Sequence, residues 1–264
     1  MKLFSYDSKF MGFLSSMVDV IWLNILWTIC SLPIITMGAS TIAAYTVTLK
    51  MVEGTEGRIT KQFFKAFVSN LKHGTIHTII MAVLIYSAYL SNQIFWNTES
   101  NPIIYIIIVV LLVFVLLWHY IYVFPIEARY SNTIMNNLNN ARKLFMGYIF
   151  RTVATIILLG IEFLLLFYYG FANSNTFSTI LVVLGVLIGP VCMMMTVSGM
   201  VMPIFRQLDH DAAVARGEIP EEEREEFSNE YDTNVREGIY SDDHEDYILV
   251  VDEDNENTNQ EDMQ

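Results

Sequence analysis

The chain has 264 residues, of which 53% are apolar and only 16% charged, and its mean hydropathy is +0.41. That is too apolar for an ordinary water-soluble domain of this length and points to a membrane as the solvent. The net charge of −13 averages two unlike parts: residues 1–205 carry 11 Lys/Arg and 7 Asp/Glu, and residues 206–264 carry 4 and 21.

The N-terminus has Lys2 and Lys9 among Leu3, Phe10, Phe13, Leu14 and Met17. This spacing predicts an amphipathic helix lying at the membrane surface over 2–17. No small-residue cleavage site follows a short apolar run, so the segment reads as retained. The first apolar run, residues 18–52, is broken between Pro33 and Gly38. A single crossing leaves Lys2 and Lys9 outside the cell. A hairpin with legs 18–35 and 38–52 puts all 15 Lys/Arg on one side, as the positive-inside bias prefers. The second leg has 15 residues and reaches only about 22 Å at the helical rise, short of the roughly 30 Å hydrocarbon core. It would have to be sheltered by protein, and Thr36, Ala39, Ser40, Thr41, Ala43, Ala44, Thr46 and Thr48 suit close helix contact. The hairpin is the expected arrangement.

Residues 50–73 hold Lys50, Arg58, Lys61, Lys65 and Lys72, and Phe63, Phe64, Phe67, Val68 and Leu71 recur at helical spacing among them. The segment reads as a second interfacial helix, or as a helix packed on other cytoplasmic residues. Long apolar runs follow at 74–95 and 102–124, joined by the uncharged-to-acidic "WNTESN". The same order recurs: Ile134, Leu138, Ala141 and Phe145 mark a third amphipathic helix, Arg129, Arg142, Lys143 and Arg151 flank it, and runs at 148–171 and 177–202 follow, joined by "ANSNT". Each of these four runs is long enough to cross a bilayer. The two units end on "VFPIEAR" and "VMPIFR", where Pro125 and Pro203 are expected to end or bend the inward helices, Pro33 and Gly38 marking the hinge of the first run.

The sum is an all-α, polytopic helical membrane protein with five to six membrane segments over 1–205, and an acidic, largely disordered tail over 206–264. Basic connections and both termini are expected in the cytoplasm. In the tail, "YILVV" (247–251) is a candidate docking strand, and "DDHED" (242–246) lacks the order of a calcium loop and reads as a solvated charge run.

No phosphate loop, dinucleotide fingerprint, H-E-x-x-H or G-x-S-x-G is present, which excludes transport driven by an ATPase domain of this chain. No catalytic residue, cofactor, metal site or nucleic-acid partner is expected. Cys30 and Cys192 lie in apolar runs as small hydrophobes, and Met193, Met194 and Met195 read as packing. The intramembrane acids are the functional candidates: Glu162 near mid-membrane and Asp19 early in the first run. Glu162 is either a protonatable group in a solute path or a structural carboxyl bonded to Thr, Ser or His of a neighbouring helix. Arg151 lies about 16 Å from it along the same helix, too far for an ion pair. His77 and His119 sit near helix ends, where a capping or interface role is expected before metal ligation.

"WLNILWTICSLPIITMGASTIAAYTVTLKMVEGTEG" (22–57), "FFKAFVSNLKHGTI" (63–76) and "YVFPIEARYSNTIMNNLNNA" (122–141) resemble the YesL-like family of bacterial integral membrane proteins, whose biochemical activity is undefined. The ordered set Asn24, Pro33, Gly38, Thr48, Leu49 and Lys50 carries the resemblance, which covers roughly 1–210 and not the acidic tail. Members often accompany carbohydrate-uptake transporters and glycoside-degrading enzymes. The resemblance therefore implies a multi-pass protein of the cell membrane that serves carbohydrate uptake, with transporter subunits as partners beside the lipid bilayer. The rival expectation is a small solute transporter or membrane sensor with Glu162 in its path.

Overall fold

A computed structural model describes residues 9–55, 57–97, 102–165 and 176–217. Every regular element among the described residues is helical. The N-terminal eight residues, the "WNTESN" and "ANSNT" connections in the main, the end of the 148–171 run and the acidic tail with "DDHED" and "YILVV" lie outside them.

Helix α1 (Lys9–Ser31) stops two residues before Pro33, which lacks an N–H and restricts the residue before it. One 3₁₀ turn (Ile34–Thr36) then leads into α2 (Met37–Glu53). Thr36 closes the break: its hydroxyl lies 2.7 Å from the Cys30 carbonyl, an acceptor that the broken helix leaves open, and 2.8 Å from the Pro33 carbonyl, which also accepts the Thr36 N–H. The chain then comes back. Ser31 Oγ meets Ser40 Oγ at 2.5 Å beside the turn, and Trp27 donates to Thr41 at 3.2 Å. At the other end of α1, Trp22 donates to Thr60 at 2.9 Å, and Asp19 shares a cavity wall with Arg58 and Lys61, a few residues past the end of α2. α2 ends at Gly54, whose φ of 75° lets Gly54 and Thr55 bond back to Met51 and Lys50.

α2 is the axis of the molecule. Residues Gly38 to Thr48 are almost wholly buried, and α1, α3 (Ile59–Ser69), α4 (Leu71–Asn97), α6 (Phe124–Arg129) and α9 (Thr176–Ala215) all pack on it. The contact with α4 is backbone on backbone. A Cβ on Gly38 would strike the Gly74 carbonyl, and a Cβ on Gly74 would strike the Ala39 backbone. Thr78 bridges the pair by accepting from the Gly38 N–H at 2.8 Å and donating to the Gly74 carbonyl at 2.9 Å. Across the opposite face, Thr48 and Ser198 of α9 exchange a hydroxyl bond at 2.8 Å. The small and hydroxylic residues of the returning leg thus serve close contacts inside protein, which is how 17 residues are accommodated without reaching across a bilayer.

Among the described residues, the expected five to six membrane segments reduce to three helices long and apolar enough to span: Leu71–Phe95, Ile103–Arg129 and Ile188–Val214. A fourth counts only if α7 (Ile134–Gly147) and α8 (Ile149–Phe163) are taken together, and these meet at 94°. The reasons are local. Pro33 stops the apolar stretch Ser15–Ser31 of α1 and leaves α2 with 17 residues, and the 148–171 run is described only to residue 165. α4 and the rod formed by α5 (Pro102–Trp118), one π turn (His119–Val123) and α6 pack as an antiparallel pair, with Phe95 stacked on Tyr105 and His77 against His119. Their outer faces, including Ile79, Val83, Ile103 and Val110, are exposed and apolar, as lipid-facing surface must be. α3 and α7 occupy the second and third expected amphipathic segments; the first, 2–17, is not a separate helix from Lys9 on but the start of α1, its earlier residues lying outside the described ones. α3 buries Ile59, Phe63 and Ala66 against the bundle while Phe64 and Val68 stay exposed, so it is both a packing helix and an apolar surface. Pro203 does not end its helix: α9 runs past position 205, where the charge split suggests a boundary, to Ala215.

The glycine contact makes a sharp comparison. Gly74→Val should destabilise the protein by about 3 kcal/mol, the upper end for overpacking. Gly160→Ala, where nothing lies within 4 Å of an added Cβ, should leave the protein as stable or up to about 1 kcal/mol more stable, since alanine is the better helix former. Thermal unfolding in detergent compares them, and equal losses would contradict a backbone contact.

Candidate functional site

The site grows from Pro125. Without an N–H this residue cannot serve a carbonyl one turn back, and its ring crowds the preceding turn. The rod widens there into a π turn, in which the Phe124 N–H bonds to the His119 carbonyl. The Tyr120 carbonyl is left for a side chain, and the Tyr45 hydroxyl of α2 donates to it at 2.9 Å. His119, the first residue of the π turn, is buried against His77 of α4.

His73 and His77 stand one turn apart on α4 and face the rod. Glu127 lies between them, its side chain 1% exposed. His73 Nδ1 is 3.1 Å from Glu127 Oε2, and His77 Nε2 is 3.1 Å from Glu127 Oε1. His77 Nδ1 is in turn 2.9 Å from His119 Nε2. Four side chains therefore form one hydrogen-bonded line, from His73, whose side chain is 36% exposed, to the buried His119. Phe124 packs edge-on against both His77 and His119, and Trp118 against His119, so the inner end is apolar. Asn137 of α7, fully buried, lies beside the Glu127 carboxylate without closing a hydrogen bond to it.

A second charged group adjoins the first. Arg129 donates to Asp209 of α9 at 2.6 Å and 3.1 Å and to Glu53 at the end of α2 at 3.2 Å, tying three helices at one point. Its guanidinium lies over the Phe205 ring at 5.8 Å. Tyr130 donates to the other Asp209 oxygen at 2.7 Å. Burial, and then the neighbouring carboxylate, push the Tyr130 phenol well above its usual range, so it remains a neutral donor. On one side of Arg129 is a cavity of about 370 Å³, and on the other a vestibule of about 860 Å³. The vestibule is walled by amides and hydroxyls such as Gln62, Asn70 and Asn136 together with Lys50 and Lys65, and the outer end of the histidine line opens into it.

The residues singled out from sequence do not converge. Glu162, on α8, accepts a 2.5 Å hydrogen bond from Thr196 of α9, and its Oε2 is buried with no partner among the described residues. Asp19 lines a separate cavity of about 670 Å³ with Arg58 and Lys61. Pro33 and Gly38 form the break and the close contact of the central hairpin, Pro125 the π turn, and Pro203 sits within an unbroken helix. His77 and His119 are not at a solvent-facing end but buried against each other, because the antiparallel packing of α4 on the rod sets them level. Sequence reasoning missed Glu127, His73, Arg129 and Asp209. The signals available were the i, i+4 spacing of His73 and His77 and the single acid in "VFPIEAR". No group of three or more His, Cys, Asp or Glu side chains is arranged to hold a metal among the described residues.

No curated protein and no solved structure matches the chain. Residues 20–92, which run from α1 through the central hairpin and α3 to most of α4 and include His73 and His77, match the family described as "Protein of unknown function, DUF624", the same family as the resemblance above.

Proposed function

We propose that the chain is a multi-pass protein of the cell membrane, with its charged end in the cytoplasm, that acts without enzymatic activity of its own as an accessory of a carbohydrate-uptake system. The observation that carries the reading is the vestibule. Its size and its wall of amide, hydroxyl and ammonium groups suit a polar segment of a partner, and the other face of α3, where Phe64 and Val68 are exposed, offers a separate apolar surface. The uptake context rests on the resemblance. The orientation rests on Lys50, Arg58, Lys61, Lys65 and Lys72, which lie on the segment that links α2 to α4 at the vestibule end.

A cysteine at Arg58, in a chain with Cys30 and Cys192 replaced by Ala, should react with a membrane-impermeant maleimide only after the cells are opened. Reaction in intact cells would reverse the orientation. Purification from membranes in mild detergent should retain transporter subunits, and Lys65→Glu at the exposed vestibule rim should release them. Recovery of no such subunit, or retention unchanged by Lys65→Glu, removes the accessory reading.

One observation favours a second reading, a transporter or sensor in its own right: the unpartnered Oε2 of Glu162 inside the bundle. Glu162→Gln should then abolish proton- or cation-coupled uptake in reconstituted vesicles. Unchanged uptake leaves Glu162 as a carboxyl that ties α8 to α9 through Thr196.

A further inference from the structure

Glu127 is a buried carboxylate, and such a group is costly without a counter-charge. Among the described residues the only bases at ion-pair distance are the imidazoles of His73 and His77. The permanent cations nearby are turned elsewhere or lie further off. Arg129, two residues along α6, is held by Asp209 and Glu53, and Lys50 of α2 and Lys65 of α3 line the vestibule without reaching Glu127. α7 contributes the neutral Asn137, α5 contributes Trp118, and Tyr45 of α2 is committed to the Tyr120 carbonyl. Short of its own protonation, the carboxylate is therefore neutralised only when an imidazole beside it carries a second proton.

We propose that His73, Glu127, His77 and His119 together form a proton-binding site that exchanges a single proton with the vestibule through His73. In the empty state Glu127 accepts from His73 Nδ1–H and from His77 Nε2–H. A neutral His77 then has a bare Nδ1, so His119 Nε2–H must donate to it, and His119 Nδ1 is left as an acceptor. That atom is buried and has no partner among the described residues, where a bare nitrogen costs less than an unsatisfied N–H. Loading adds one proton at the exposed His73 ring, giving an imidazolium beside the carboxylate. No other bond breaks, and the net charge of the four groups goes from −1 to zero. The single carboxylate sets the tautomer of all three rings, and His77 and His119 keep theirs when His73 is loaded.

The test is nitrogen NMR of the full chain in detergent with its five histidines labelled, against pH, with His→Gln variants for assignment. His73 should pass from its neutral Nδ1–H form to the imidazolium in one transition, through which His77 and His119 keep their neutral tautomers. Glu127→Gln should weaken proton uptake at His73 and release the fixed Nε2–H tautomer of His77. Charging of His77 or His119 in place of His73, or uptake at His73 unchanged by Glu127→Gln, would overturn the proposal. If Glu127→Gln does not fold, His73→Gln at the partly exposed ring replaces it: the single-proton uptake should be lost, and uptake that persists at His77 would overturn entry through His73.

Discussion

Gly38 on α2 and Gly74 on α4 have no side chains to keep their helices apart, and the rest of the structure follows from that approach. Glycine inside a helix costs about 1 kcal/mol each relative to alanine. The return is a backbone contact that puts Ala39 against Gly74 and lets Thr78 bond to both helices. With α2 drawn in this far, α1, α3, α6 and α9 close around it, and a helix too short to span a bilayer becomes the core of a membrane protein. Lipid offers little hydrophobic drive between helices, so close packing of small residues must supply the attraction.

Seating α2 also settles where backbone irregularity is tolerated. The carbonyls freed at Pro33 and in the π turn before Pro125 are both answered by side-chain hydroxyls, Thr36 in one case and Tyr45 in the other. An unanswered carbonyl in hydrocarbon would cost several kcal/mol, more than the roughly 0.6 kcal/mol that a typical side-chain bond contributes in a membrane bundle. Avoiding the penalty therefore outweighs the gain of the bonds themselves. The π turn also begins at His119, the ring that meets His77.

The ionic groups divide into two kinds. Arg129 with Asp209 and Glu53 is a junction of fixed charges at the ends of three helices, and its partners are permanent ions. Glu127 with its histidines has partners that carry charge only on protonation. They are two residues apart on one short helix and open on either side to the same vestibule. A fixed clamp beside a titratable line gives this end of the bundle both a rigid frame and a group able to respond.

Much of the fold was legible in the amino-acid order. Helical class, the break at Pro33, the return of the chain and the small-residue character of α2 follow from residue type and period, because proline, glycine and apolar spacing act over a few neighbours. The number of spanning helices was overestimated, since apolar composition does not tell a helix exposed to lipid from one buried in protein. The site was largely illegible. Glu127 is 50 residues from His77 and Arg129 is 80 from Asp209, and only the antiparallel register of α4 on the rod and the packing of α9 bring them together. A hydrogen bond needs placement to a few tenths of an ångström, and that placement belongs to the packed helices. Sequence alone determined what each segment is and where it breaks; the tertiary structure decided which charges meet.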